Sequence, residues 1–223
     1  MEIEVLFRPS YSLGVVKLSP GEKIRADAGA MVSMQNVSIE TRMEGGLLKS
    51  LGRSLLGGES LFQNTFVASP SGGEVTLAPD LPGDVFFIEM HNETLLVQSG
   101  SYLASESGIE LSTKLSGKGF MAGEGITMLE VKGTGKLLLS SYGAIYEKNL
   151  AVGEKYTVDS SHLVAFNANL EVATKAVGSL KSTLFSGEGL VVEFTGPGRL
   201  MMQTRSQQAF LNWLIPHLPT KSS

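Results

Sequence analysis

The sequence predicts an all-β protein made of three repeated lobes and one short C-terminal helix. Three observations carry this expectation. Short apolar runs are separated by many of the 26 glycines, which is the pattern of short strands and tight turns. A Gly-Glu pair recurs at Gly58-Glu59, Gly123-Glu124 and Gly187-Glu188, each followed by an apolar run, a glycine turn and a second apolar run. The tail, "SQQAFLNWLIPHLPTKSS", changes to a helical spacing. The boundaries read from this pattern are residues 1–80, 81–149 and 150–205 for the lobes, and 206–223 for the helix and tail.

The elements follow in chain order. The first strand lies in "EIEVLFRPSYS", which resembles "GKLLLSSYGAI" in the middle of the chain. It stands where the last strand of a preceding lobe would stand, so it is expected to pair beside the third lobe and close a ring, removing an exposed edge. Turns feeding strands are read at "SPGEKI", "LPGDVF" and "AVGEKY". Next, "DAGAMVSM", "QSGSYLAS" and "DSSHLVAF" align without gaps. The two apolar runs after each Gly-Glu pair are expected to form a β-hairpin. Its turn would hold Gly72-Gly73, Gly133-Thr134-Gly135 or Gly196-Pro197-Gly198, where glycine supplies positive φ. Each lobe has the length of a small β-sandwich but too little surface to stand alone, so the three are expected to pack around a pseudo-threefold axis. In the tail, Ser206 caps a helix that sets Phe210, Trp213 and Leu214 on one face, and Pro216 ends it.

Composition excludes several classes. With 223 residues, 42% hydrophobic and 18% charged, the chain can build a core and is not disordered as a whole. It has no cysteine, hence no disulfide, no thiolate metal site and no cysteine nucleophile. A net charge of -4 and an aromatic content of 7% disfavour nucleic-acid binding, which wants basic surface and stacking rings. The opening "MEIEVLFRPS" lacks the features of a signal peptide, and no uncharged apolar run approaches the ~18 residues of a spanning helix. A cytoplasmic chain, at most peripheral to a membrane, is expected.

The stretch from Glu44 to Phe66, "EGGLLKSLGRSLLGGESLFQNTF", carries the richest local pattern. It does not fit a phosphate-binding loop, because no Gly-Lys-Ser/Thr follows the glycine run. Its leucines fall on one helical stripe, with Lys49 and Arg53 on another, which suits contact with an anionic membrane or partner. Equivalent segments precede the other two Gly-Glu pairs, so a connector belonging to the fold is the leading reading. Glu59, Glu124 and Glu188 would occupy matching positions in the three lobes. Near an axis they would form an acidic ring able to hold a cation or basic group; away from it they would cap turns. His91, His162 and His217 show no metal-ligand spacing. Gly117-Lys118-Gly119-Phe120-Met121-Ala122 lacks the βαβ setting of a dinucleotide site, and no Gly-x-Ser-x-Gly elbow occurs.

"GGLLKSLGRSLLGGESLFQNTF" together with the closing "MMQTRS" resembles the mitochondrial-biogenesis, or altered-inheritance-of-mitochondria, family. The resemblance covers nearly the whole chain. It implies a tryptophan RNA-binding attenuation protein-like fold, triplicated in one chain. For mitochondrial members it implies a link to inner-membrane organisation, and it brings no catalytic residues. With no transit peptide, this chain reads as a prokaryotic relative. The expected function is a non-enzymatic binding or scaffold protein without a cofactor, possessing a protein partner and self-associating, with a trimer matching the internal repeat. The rivals are a small-ligand carrier or enzyme with its pocket between lobes, and an RNA-binding protein.

Overall fold

The computed structural model of the protein describes residues 1–40, 63–112, 127–175 and 191–219. The described chain is all-β with one short α-helix. Strands β1 (Glu2–Leu6), β2 (Leu13–Leu18), β3 (Lys23–Asp27), β4 (Met31–Gln35), β5 (Val37–Glu40), β6 (Gln63–Ala68) and β7 (Gly73–Leu77) come first. Then follow β8 (Gly83–Gln98), β9 (Tyr102–Glu106), β10 (Ile109–Ser112) and the long β11 (Met128–Tyr142). Strands β12 (Ile145–Leu150), β13 (Lys155–Asp159), β14 (Leu163–Asn167), β15 (Glu171–Lys175), β16 (Val191–Thr195) and β17 (Gly198–Gln203) lead to helix α1 (Gln207–Leu214).

One scheme of strand pairing occurs three times. In the first set, β7 lies between β2 and β4, and β6 lies between β3 and β5. In the third, β17 lies between β12 and β14, and β16 between β13 and β15. In the second, β8 and β11 each run through both layers: β11 pairs β8 along its length, with β9 on its second half and β10 on its first. The third strand of each set carries the same one-residue bulge, at Val32, Leu103 and Val164. The gapless alignment of "DAGAMVSM", "QSGSYLAS" and "DSSHLVAF" therefore coincides with the starts of β4, β9 and β14.

The expected hairpins are not formed. β6 and β7 lie in different sheets, as do β16 and β17, and β11 runs on through Gly133-Thr134-Gly135 with a single register shift. The glycines turn the chain from one layer into the other instead of folding it back on itself. Gly73 and Gly198 start the last strand of their sets and Gly135 starts the second half of β11, in each case where a neighbour crosses close by. A Cβ at Gly73 would lie 2.6 Å from the Asn36 carbonyl, one at Gly135 2.6 Å from Glu106 Oε2, and one at Gly198 2.9 Å from the Leu170 side chain.

Two further expectations are corrected. β1 does not pair beside the third set. It runs antiparallel to β2, with Leu6 opposite Leu13, and Ile3 and Val5 pack on the first core. The connection between Leu6 and Leu13 is short enough to return the chain on itself, and an ion pair from Arg8 to Asp84 at 2.7 Å fixes it there. The "LPGDVF" turn feeds a strand as read, since Gly83 opens β8, but it is not equivalent to the other two turns: the counterpart of Gly21 (φ 71°) and Gly153 (φ 74°) is Asn92 (φ 57°). Asparagine takes this left-handed conformation more readily than other non-glycine residues.

The second and third sets are each joined to the set before by their third strand. β9 pairs β3, with Arg25 opposite Ser105, and β14 pairs β8, with Leu96 opposite Phe166. The same joint between the third set and the first would place β4 beside β13. Among the described residues those two strands instead end their sheets, ordered β1-β2-β7-β4 and β13-β16-β15. Among the described residues, three buried clusters form the core. The first includes Leu103, Ala104 and Leu138 from the second set, and the second includes Val164, Ala165 and Met201 from the third. The third cluster, built around Phe166, Phe194 and Leu200, contains none of the described residues of the first set.

The C-terminal helix starts as expected: the Ser206 hydroxyl accepts a hydrogen bond from the Ala209 amide at 3.2 Å. Pro216 falls in a 3-10 turn that follows it. The shared apolar face is not all docked. Phe210 meets the edge of Tyr142 at 6.2 Å, whereas Trp213 is 61% exposed and lies 5.3 Å from His217, ring to ring.

Candidate functional site

The sequence-predicted candidates Lys49, Arg53, Glu59, Glu124 and Glu188 lie outside the described residues. The histidines that are described do structural work or face solvent. The His162 ring bonds the Gln203 carbonyl at 2.7 Å, the His217 ring bonds the Trp213 carbonyl at 2.7 Å, and His91 is exposed. Among the described residues no group of three or more His, Asp or Glu could hold a metal ion. None of their helices is long and apolar enough to cross a membrane.

Two surfaces stand out instead. The first is the outer edge of β4. Its side chains occupy the positions that bury the third strand in the other two sets. Val32 is 58% exposed, whereas its counterparts Leu103 and Val164 are 2% and 0% exposed. Met31 and Met34 are 38% and 44% exposed, where Tyr102, Leu163 and Phe166 are buried. The strand has the bulge and pairing of its counterparts on one side, and among the described residues it lacks only the neighbour on the other. An unpaired edge carrying apolar side chains is a ready template for strand addition.

The second surface is a polar cleft of about 330 Å³ at the joint between the second and third sets, lined by Glu93, Glu147, Asn149, Leu150, Asn167, Gly198 and Arg199. The start of the second half of β8 supplies Glu93, the end of β14 Asn167, and the start of β17 Arg199. The Asn167 amide donates to Glu93 Oε2 at 3.0 Å and its carbonyl accepts from the Arg199 backbone at 2.7 Å. Arg199 reaches Glu93 at 3.6 Å. The first joint holds a matching group: Glu22, Glu106 and Lys136. Lys136 donates its backbone amide to Glu106 at 3.0 Å, as Arg199 does to Asn167. There the place of the direct ion pair is taken by main chain: the Met1 amino nitrogen lies 2.6 Å from Glu22 Oε1, and Lys136 Nζ lies 3.1 Å from the Met1 carbonyl. Burial raises the Glu22 carboxyl, but the hydrogen bonds from the Met1 nitrogen and the Ser19 amide outweigh it, and the group sits below its ordinary value.

Neither surface was singled out from sequence. Glu93 falls in no catalytic or ligand-binding motif of the sequence, and Val32 and Met34 are visible only as strand residues. The signal available was the alignment itself, which pairs Val32 with Leu103 and Val164.

The fold and its surfaces define a class of all-β protein in which one strand scheme occurs three times and is joined serially through its third strands. The chain belongs to the family described as mitochondrial biogenesis AIM24, whose model matches residues 3–205. It is 28% identical over 223 residues to an uncharacterised protein of Streptococcus pyogenes serotype M6, covering 96% of this chain and 89% of that one. It is also 28% identical over 168 residues to altered inheritance of mitochondria protein 24, mitochondrial, of Verticillium alfalfae, of whose length the match covers 43%. A crystal structure of the Streptococcus pyogenes protein SPYM3_0169 superposes with a TM-score of 0.80 at 26% identity, covering 97% of this chain and 99% of that one.

Proposed function

We propose that the protein is a non-enzymatic binding or scaffold protein that engages its partner by strand addition at β4. The carrying observation is the exposure of Met31, Val32 and Met34 at positions whose counterparts are buried in both other sets. A folded protein that keeps an apolar edge strand without a covering element retains it at a risk of aggregation, and the cost is tolerated where the edge has a partner. Methionines suit such a surface because their flexible side chains adapt to what they meet. The test is Val32→Lys with Met34→Lys, which places charge on the edge without touching a core. The reading expects the pair of changes to abolish association measured by native affinity capture and light scattering, while the melting temperature of the free chain stays unchanged. Association that survives both changes would refute it.

A second reading, a carrier of a small polar ligand in the cleft, is favoured by one observation. At the first joint the matching position receives an amino nitrogen and a carbonyl, held by Glu22 and Lys136. Glu93 and Arg199 offer the same pair of opposite charges at the second joint. Thermal-shift titration with simple amines and amino-acid amides tests it, with Glu93→Gln and Arg199→Ala expected to remove any stabilisation.

A further inference from the structure

We infer that the partner of β4 is a second copy of this chain, and that copies join head to tail with β4 of one paired antiparallel to β13 of the next. This rests on the reading of β4 as the working edge, and names its occupant and register.

The chain already makes this joint twice. β9 is the third strand of the second set and pairs β3, the second strand of the first. β14 is the third strand of the third set and pairs the second half of β8. The rule leaves one third strand, β4, and one second strand, β13, and each ends its sheet among the described residues. The core points the same way. Each completed joint buries side chains of the next set in the core before it: Leu103 and Ala104 in the first, Val164 and Ala165 in the second. Among the described residues the third core receives none, and the matching residues Val32 and Ser33 are exposed. A second copy supplies them.

The internal joints also fix the register. In both, the fourth residue of the third strand faces the middle residue of a three-residue pairing: Ser105 opposite Arg25, and Phe166 opposite Leu96. The same offset places Met34 opposite Thr157, Gln35 opposite Tyr156 and Ser33 opposite Val158. Because the two edges belong to different strands, the contact is heterologous, giving a ring where the rotation closes and a filament where it does not.

The chain has no cysteine, so single cysteines report the contact directly. Full-length Met34→Cys and Thr157→Cys variants are mixed and mildly oxidised. The inference expects a disulfide-linked heterodimer in the mixture and none in either variant alone. None is expected either when Met34→Cys is mixed with Glu171→Cys, which lies on the far edge of the β13 sheet. Since each variant carries one cysteine, a link within a single chain cannot produce this result. Val32→Lys, introduced into either cysteine variant, is expected to abolish the link. A homodimer of Met34→Cys alone would overturn the inference in favour of a two-fold contact. A Met34→Cys/Thr157→Cys double variant that links only within one chain would overturn it in favour of internal closure. Absence of any link overturns it outright. If, in addition, the lysine variants lose a different captured protein, the edge reading stands while the second copy falls.

Discussion

Arg8 grips Asp84 through two parallel hydrogen bonds, Nε to Oδ1 at 2.9 Å and Nη2 to Oδ2 at 2.7 Å. Asp84 is 1% exposed and also accepts from the Ser12 hydroxyl at 2.9 Å. The pair ties the return from β1 to the first residues of β8, and so locks the first set onto the second. Bidentate pairing of this kind is the strong form of a charged hydrogen bond. The hydrogen bond to Asp84 holds the Arg8 guanidinium above its already high ordinary value.

Removing Arg8 leaves a buried carboxylate with one hydroxyl partner. Arg8→Ala is expected to destabilise the fold by roughly 1.5–3 kcal/mol, the range for a lost hydrogen bond to a charged group. Arg8→Lys is expected to recover only part of this, because an ammonium cannot make the fork. Urea unfolding of the three proteins checks both values.

Equivalent positions should respond unequally. Leu103 is buried in the first core, so Leu103→Ala is expected to cost about 2–5 kcal/mol. Val32 holds the same place in its set but is exposed, so in the free chain Val32→Ala is expected to stay within about 0.5 kcal/mol. Equal costs at the two positions, measured at a concentration where the chain is monomeric, would show that β4 is covered.

The turns after β2 and β12 predict an acid-sensitive component of stability. Glu154 accepts from the Ala151 amide at 2.9 Å, as Glu22 does from Ser19 at 2.8 Å. The Ala151 amide, and then Lys148, hold the Glu154 carboxyl below its ordinary value, and Glu22 is lowered as well. A carboxyl lowered by folding stabilises fully above its unfolded value of about 4.3 and loses that contribution as the pH falls through the folded value. The melting temperature is therefore expected to fall on acidification through this range. Glu22→Gln with Glu154→Gln should lower it at neutral pH and flatten the fall.

The fold class and the repeat were legible because they rest on spacing. Alternating apolar runs, glycines and the gapless alignment of three segments required no knowledge of how strands pair. The hairpins were misread because a glycine pair between two apolar runs looks the same whether the chain folds back or passes into another layer. Only the close approach of Asn36, Glu106 and Leu170 to the three glycines separates the two. The β1 placement failed for a related reason: likeness to β11 showed what kind of strand it is, not which neighbour it takes. The β4 edge could not be read at all from composition, since Val32, Leu103 and Val164 are all apolar. What distinguishes them is the presence or absence, among the described residues, of a strand beside them.

Whether β4 and β13 meet between copies is read out by hydrogen exchange followed by peptide mass. At a dilution that gives a monomer, amides of β4 and β13 are expected to exchange quickly while those of β9 and β14 are protected. At a concentration that gives the larger species, β4 and β13 are expected to become protected together, and Val32→Lys to prevent it. Exchange at β4 and β13 that stays fast in the larger species, or stays slow in the monomer, would contradict the account.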